Sequence, residues 1–367
     1  PPPLAAAAAA SASHSCSQLK ANRDRAAARA QEDEEDTDAP LSNAGVLLGW
    51  HAANLEYANG SQLHSLSNRW WDADDEFDFG GGHYLLPDGY TALLRRVGHG
   101  LDVRLHHAAQ RIERVVGGGV RVDYTADGAL ASLHADICVV TLPLGVLKAA
   151  DLTFAPSLPP RKLQAIERLG FGCLNKVLLV FKTAFWAAAE GRADFWGYCA
   201  PTAKRRGEAF QFWNLHRSTG QPMLLVLHAG RAALRGSSKE EGEKEALAAT
   251  MEALVAIFGA AAVPEPCRAV VTRWEDDPYA RGVYSHIALG ASTRDYDAMA
   301  EPLWDGSLLW AGEATSREHP ATVAGAYLSG LREAGRVCCR LHAEGAAPSL
   351  TPARPPPAAC TACAGGG

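Results

Sequence analysis

The run Trp310-Ala-Gly-Glu-Ala-Thr-Ser-Arg-Glu-His-Pro-Ala-Thr-Val-Ala-Gly325, continuing in small residues to Gly335, has the residue types to hold a polar cofactor. Leu308 to Ala311 read as the end of a buried strand, and Gly312-Glu313 put a carboxylate at its tip. Pro320 sits where the first turn of a helix tolerates a missing N–H. Ala321, Thr322, Val323, Ala324 and Gly325 are small or short, so the free N–H groups and positive dipole end of that helix can touch a ligand's polar edge. An ordinary strand-loop-helix connection has the same outline, but it rarely needs so many small residues.

Lys176 lies inside Leu174-Asn-Lys-Val-Leu-Leu-Val-Phe181, on the strand face of Leu174, Leu178 and Val180. An amine facing an apolar interior is desolvated and pushed toward its neutral form; the plainer alternative is an edge-strand lysine that blocks aggregation. Trp70-Trp71-Asp72-Ala-Asp74-Asp75-Glu76-Phe-Asp78 packs five acids into seven positions, with Gly80-Gly-Gly-His83 after it. At a cleft mouth, Asp72, Asp74, Asp75 and His83 would draw in a cationic chain, whereas charge runs are usually just solvated loops. Trp213, Trp274 and Tyr284 offer faces that could stabilise an ammonium group by cation–π attraction, or could fill a core, the reading favoured for Tyr279.

The 310–335 run resembles the flavin-binding C-terminal signature of the flavin-dependent amine oxidases, and the lysine-specific histone demethylase branch matches best; the resemblance spans residues 45 to 343. It implies an α/β fold in which an incomplete Rossmann-like FAD-binding domain is interleaved with a mixed-sheet substrate-binding domain. It further implies that Glu313 holds the ribityl chain of FAD, that Ala321, Thr322 and Val323 meet the flavin ring, and that Trp274, Trp213 and Tyr284 wall the site. Lys176 would hold a water against flavin N5, where the substrate hydride arrives. Ala109 and Thr141-Leu-Pro143 match positions beside the dinucleotide, and Ala58 and Asn59 match the helix end that approaches substrate. Asp72, Asp74, Asp75 and His83 match residues that contact a basic histone tail.

The implied reaction is FAD-dependent oxidation of a methylated lysine in a histone H3 tail, giving formaldehyde, with molecular oxygen reoxidising the flavin to yield hydrogen peroxide. A polyamine oxidase shares Lys176 and the flavin signature and is the nearest alternative. A truncated, non-catalytic relative is the other. The resemblance implies a nuclear location, with the cytoplasm as the alternative. Where the demethylases usually show His-Gly after Thr-Val, this chain has Ala324-Gly325.

Elements elsewhere must position these groups. The net charge of -6 equals the six acids between Glu32 and Asp38, so the rest is near neutral and direct nucleic-acid binding is not expected. Nine cysteines, scattered through apparent core strands, a helix and the tail, suit a reducing compartment, and Cys360-Thr-Ala-Cys363 lacks the second pair of a zinc site. The longest apolar runs, such as Val177 to Phe181, are too short to cross a bilayer, which reads as a soluble intracellular protein. Residues 1–44, apart from a helical stretch at Leu19 to Arg29, and 346–367 read as disordered.

Between these ends, Leu101 to His134 reads as an antiparallel meander turning at Gly117 to Gly119 and at Asp127-Gly128. Ala135 to Thr141 reads as a fully buried strand, Pro160 to Leu169 as a helix, and Arg268 to Trp274 and Val283 to Leu289 as strands. Glu243 to Phe258 reads as an amphipathic helix with Leu247, Met251, Leu254, Val255 and Phe258 on one side. Segments 45–78 and 173–292 are assigned to substrate binding, and 79–172 and 293–345 to FAD binding. Arg205 and Arg206 read as surface charge. No Gly-x-Gly-x-x-Gly occurs, so the chain reads as the C-terminal portion of an amine oxidase, and no helical tower for a corepressor is recognisable before Trp50.

Overall fold

The structure, a computed structural model, describes residues 38–82, 84–86, 89–187 and 193–343. His83, the stretch Leu19 to Arg29 and the Cys360–Cys363 pair lie outside the described residues. The described fold begins before residue 45: Pro40 pairs with Thr202, and a helix spans Asn43–Asn59. Ser42 caps that helix by accepting a hydrogen bond from the Gly45 amide at 3.2 Å. Gly60, with φ at 62°, ends it in the left-handed region that a side chain resists.

The meander forms as the turn residues require, from β1 (His107–Arg114), β2 (Val120–Ala126) and β3 (Ala129–Ala135). Next comes β4 (Cys138–Val140), three residues long, and then β5 (Thr153–Ala155), which joins β1 in parallel to complete a four-stranded sheet. The fully buried strand expected from Ala135 is therefore corrected: Val139 is 39% exposed, because β4 pairs only with one other strand among the described residues and one flank stays open. After the helix Pro160–Arg168 follow β6 (Gly170–Phe171), β7 (Asn175–Val180), β8 (Phe195–Gly197), β9 (Gln211–Asn214), β10 (Met223–His228) and β11 (Arg268–Val271). Five of these make an antiparallel sheet in the order β11-β7-β10-β9-β8.

The strand expected over Val283 to Leu289 shortens to β12 (Ser285–His286), paired with β6. The rest of it bonds sideways instead, Ser67 N to Ile287 O and Leu289 N to Ser65 O. Finally β13 (Leu308–Trp310), fully buried, lies parallel to β4.

Two large cores result. One gathers Ile112, Val140, Leu144, Ile166, Tyr296, Leu308 and Trp310; the other packs Val177, Leu179, Phe212, Leu224 and Val226 under the helix Lys239–Phe258. That helix turns Ala246, Ala249, Thr250, Ala253 and Leu254 inward, so its buried stripe is of smaller residues than expected and Val255 is left exposed. Small side chains let the helix backbone approach the sheet closely.

Two histidines are buried in neutral form. His228 is fully enclosed, its Nε2 paired with Thr250 Oγ1 at 2.9 Å, and burial lowers its pKa to about 3; burial first, then the Lys148 charge, lowers that of His286 to about 4. The unfolded chain takes up these protons below its ordinary value of 6.5 while the folded chain does not, so stability falls as pH drops from 6.5 toward 4. Urea midpoints should show a loss on the order of 1–2 kcal/mol per histidine between pH 7 and pH 5, and His228→Asn should flatten that slope.

Candidate active site

The parallel strands β4 and β13 end side by side, with Ala311 N bonded to Val140 O at 3.0 Å, so Thr141–Pro143 and Gly312–Glu313 leave the sheet at the same edge. Carboxyl ends of parallel strands are where α/β folds open a ligand crevice. Gly312 takes φ 123°, and a Cβ there would meet nothing within 4 Å. Glu313 accepts from Ser285 Oγ at 2.6 Å, from the Ser285 amide at 3.3 Å and from the Ala321 amide at 2.9 Å. Burial raises its pKa, and these donors pull it back down.

The helix after this loop starts later than Pro320 suggested. Thr322 is its cap, accepting from Gly325 N at 2.9 Å, and the helix spans Val323–Ala343. Ala321, with φ at 59°, makes the turn into it. Among the described residues no hydrogen bond leaves the Val323 or Ala324 amide, as helix geometry dictates for a first turn. Val323 is half-exposed beside them. Farther along, Arg332 donates to Trp310 O and Thr315 O, both at 2.8 Å, and pairs with the buried Glu333, which fastens this helix to the strand tip.

Lys176 shares a face of the five-stranded sheet with Trp213. Lys176 opposes Leu227, Leu178 opposes Leu225, and Leu225 opposes Trp213, while Val177 and Leu179 point to the helix side. Trp213 and Leu227 belong to a small core with Trp50, Tyr57 and Val283. Burial lowers the Lys176 pKa, and among the described residues no carboxylate pairs with it. Its neighbour Asn175, buried, is the residue the sequence reading missed. Asn175 Oδ1 accepts from the Trp274 amide at 3.3 Å and from Thr272 Oγ1 at 3.1 Å, and its Nδ2 donates to Ala233 O and Glu275. Trp274, 41% exposed, is thereby tied to the strand that carries Lys176. An amide inside an apolar strand next to a lysine was the available signal.

Tyr284 donates its hydroxyl to Tyr57 O at 2.6 Å and packs against Gly60, at the helix end that carries Ala58 and Asn59. Burial pushes its phenol up, so the ring serves as a wall and the oxygen is committed to the backbone. Arg205 and Arg206 are corrected from surface charge to structural anchors. Arg206 pairs with Glu56, only 1% exposed, at 2.9 Å, and Arg205 bridges Glu208 and Glu252. Glu56 also accepts from Leu63 N, so the pair sets the end of the Asn43–Asn59 helix. Arg206→Ala leaves Glu56 buried without this partner and should lower unfolding free energy by about 2 kcal/mol, read from urea midpoints.

Asp72 is exposed in the turn between two short 3₁₀ turns and Asp75 is exposed at the start of the second, while Asp74 is partly buried and has its pKa raised by burial. The segment is attached to the site's other parts through Ser67 and Ile287, and through aromatic contacts to His319. Ala109 lies exposed at a bulge in β1, and no hydrogen bond joins it to the Glu313 loop. Lys162 was also missed: enclosed beneath Trp310, its ammonium lies 4.4 Å from that ring and donates to Met299 O and Glu301 O, while burial draws its pKa down to about 7. Among the described residues no cluster could hold a metal ion, and no helix is long and apolar enough to cross a membrane.

The family profile for flavin containing amine oxidoreductase matches residues 7–338, starting well upstream of residue 45. Lysine-specific histone demethylase 1 homolog 3 of Oryza sativa subsp. indica is 39% identical over 320 residues, 87% of this chain and 38% of the relative. A possible lysine-specific histone demethylase 1 of Drosophila melanogaster is 42% identical, over 80% of this chain and 34% of its own. The protein FLOWERING LOCUS D of Arabidopsis thaliana is 40% identical, over 82% and 37%. This chain thus spans less than two-fifths of the length of these relatives. Among solved structures, a putrescine oxidase bound to putrescine shares the fold with a TM-score of 0.54 at 20% identity, covering 68% of this chain and 52% of that one. With the profile spanning most of its length, this chain belongs to the flavin-containing amine oxidoreductase family.

Proposed function

We propose that this protein oxidises an amine with the help of bound FAD, and that the amine is a methylated lysine side chain of a histone H3 tail. The observation that carries the reading is Lys176: an amine held toward its neutral form, without a carboxylate partner among the described residues, on the face that presents Trp213 and on the strand whose Asn175 holds the turn that carries Trp274. Such a group can hold a water by hydrogen bonds without adding a second fixed charge beside a cationic substrate. The aromatic rings would exclude solvent and favour a methylated ammonium by cation–π attraction.

The residues present fit a flavin. Glu313 can accept from ribityl hydroxyls, the unbonded amides of Val323 and Ala324 open the helix that follows the same loop, and Gly312 leaves open space at the strand tip. A bound flavin would supply the two-electron oxidation, taking a hydride from the N-methyl carbon; the substrate iminium would take up water and release formaldehyde, and oxygen would leave with the two electrons and two protons as hydrogen peroxide. Asp72, Asp74 and Asp75 would meet the cationic tail. The same reading places the protein in the nucleus. Supporting it are the demethylase names of relatives about 40% identical.

Oxidation of a free polyamine is the second reading, favoured by the likeness to putrescine oxidase in fold. Incubation with methylated H3-tail peptide and, separately, with spermine, followed by assays for formaldehyde and hydrogen peroxide, divides the two. Formaldehyde from the peptide supports the proposal, and peroxide from spermine alone overturns it.

A further inference from the structure

The His319 ring stacks on Phe79, with centroids 4.4 Å apart and planes 18° apart, and meets Phe77 edge-on at 6.3 Å. Its backbone is engaged on both sides. The amide donates to Ser316 Oγ at 3.2 Å, and the carbonyl accepts from Thr322 Oγ1 at 2.9 Å, the hydroxyl that caps the helix Val323–Ala343. A Cβ on Gly325 would lie 1.9 Å from His319 O, so the helix's first turn presses directly on this residue. His319 thus has a fixed backbone and presents its ring outward. By contrast, residues 68–79 form no helix or strand beyond two three-residue 3₁₀ turns, Asn68–Trp70 and Asp75–Phe77, joined by a turn over 71–74, and Phe79 is 64% exposed. Two aromatic residues at the end of the acidic run 72–78 land on one imidazole of the cofactor-side loop.

We propose that His319 is a positioning residue for recognition of the cationic substrate chain: stacked on Phe79 and Phe77, it holds Asp72, Asp74 and Asp75 in one orientation beside the loop that carries Glu313. This rests on the reading of those acids as the substrate-facing surface. Asp74, the least exposed of the three, also lies near enough to feel the His319 charge. The ring contributes through shape and stacking, so another flat ring can replace it.

The test pairs hydrogen exchange read by mass spectrometry with fluorescence anisotropy of a labelled lysine- and arginine-rich peptide at low salt. His319→Ala should speed exchange in residues 72–79 by about tenfold while residues 323–343 keep their protection, since the capping carbonyl belongs to the backbone. Peptide affinity should fall about fivefold, the range of an aromatic pair. His319→Phe should restore both readings. Phe79→Ala should reproduce the His319→Ala loss, and the double variant should lose no more than either single one. Unchanged exchange at 72–79 in His319→Ala, or additive losses in the double variant, overturns the proposal. A wild-type protein that does not bind the peptide, while His319→Ala still loosens 72–79, overturns the substrate reading and leaves the anchoring role of His319 supported.

Discussion

Lys176→Met should leave flavin bound and slow its reduction by substrate about a thousandfold, the scale set by removal of a positioned proton-handling group. Met matches the length and apolar character of the lysine stem, so β7 and its pairing with Leu227 are kept. Only the nitrogen disappears. Burial already holds that nitrogen toward the neutral form, and no carboxylate among the described residues compensates a charge there. Stability should therefore stay level or rise slightly, while rapid-mixing measurements of reduction show the loss. Unchanged reduction would remove Lys176 from the account.

Glu313→Ala should weaken flavin binding by about a hundredfold, read by titration of flavin absorbance. The carboxylate does two things at once. It ties Ser285 of β12 to Ala321, which sets the turn into the Val323–Ala343 helix, and it is the acceptor at the strand tip. Truncation leaves the Ser285 and Ala321 amides without that acceptor and frees the loop. Glu313→Gln keeps the shape and an acceptor oxygen but removes the charge, so its affinity should fall between those of the wild type and Glu313→Ala. Equal binding by all three proteins would place the flavin elsewhere.

The parts of the fold carried by local rules were legible in the sequence. The Gly117–Gly119 and Asp127-Gly128 turns and the period-2 pattern around Lys176 all depend on neighbours within a few residues. Pro320 misplaced a helix start because Thr322, two residues later, offers the better cap. Val283 to Leu289 looked like one strand, yet its later amides and carbonyls are used by Ser65 and Ser67, a pairing between distant segments that no local pattern reports.

The same limit applies to the site. Glu313, Thr322 and Lys176 stand out by type against their surroundings. Asn175, Ser285, Lys162 and the Glu56–Arg206 pair are identified only by partners dozens to hundreds of positions away, and His319 only by the two rings that land on it. Ala109 was named from a resemblance alone, and its exposed place at a bulge gives it no contact that local chemistry would have flagged.

Anaerobic mixing of the purified, flavin-loaded protein with methylated H3-tail peptide tests the central claim most directly. The account predicts that peptide bleaches the flavin band at about 450 nm, that oxygen restores the band, and that Lys176→Met nearly abolishes the bleaching. A flavin band that stays unbleached with the methylated peptide, whether or not spermine bleaches it, would contradict it.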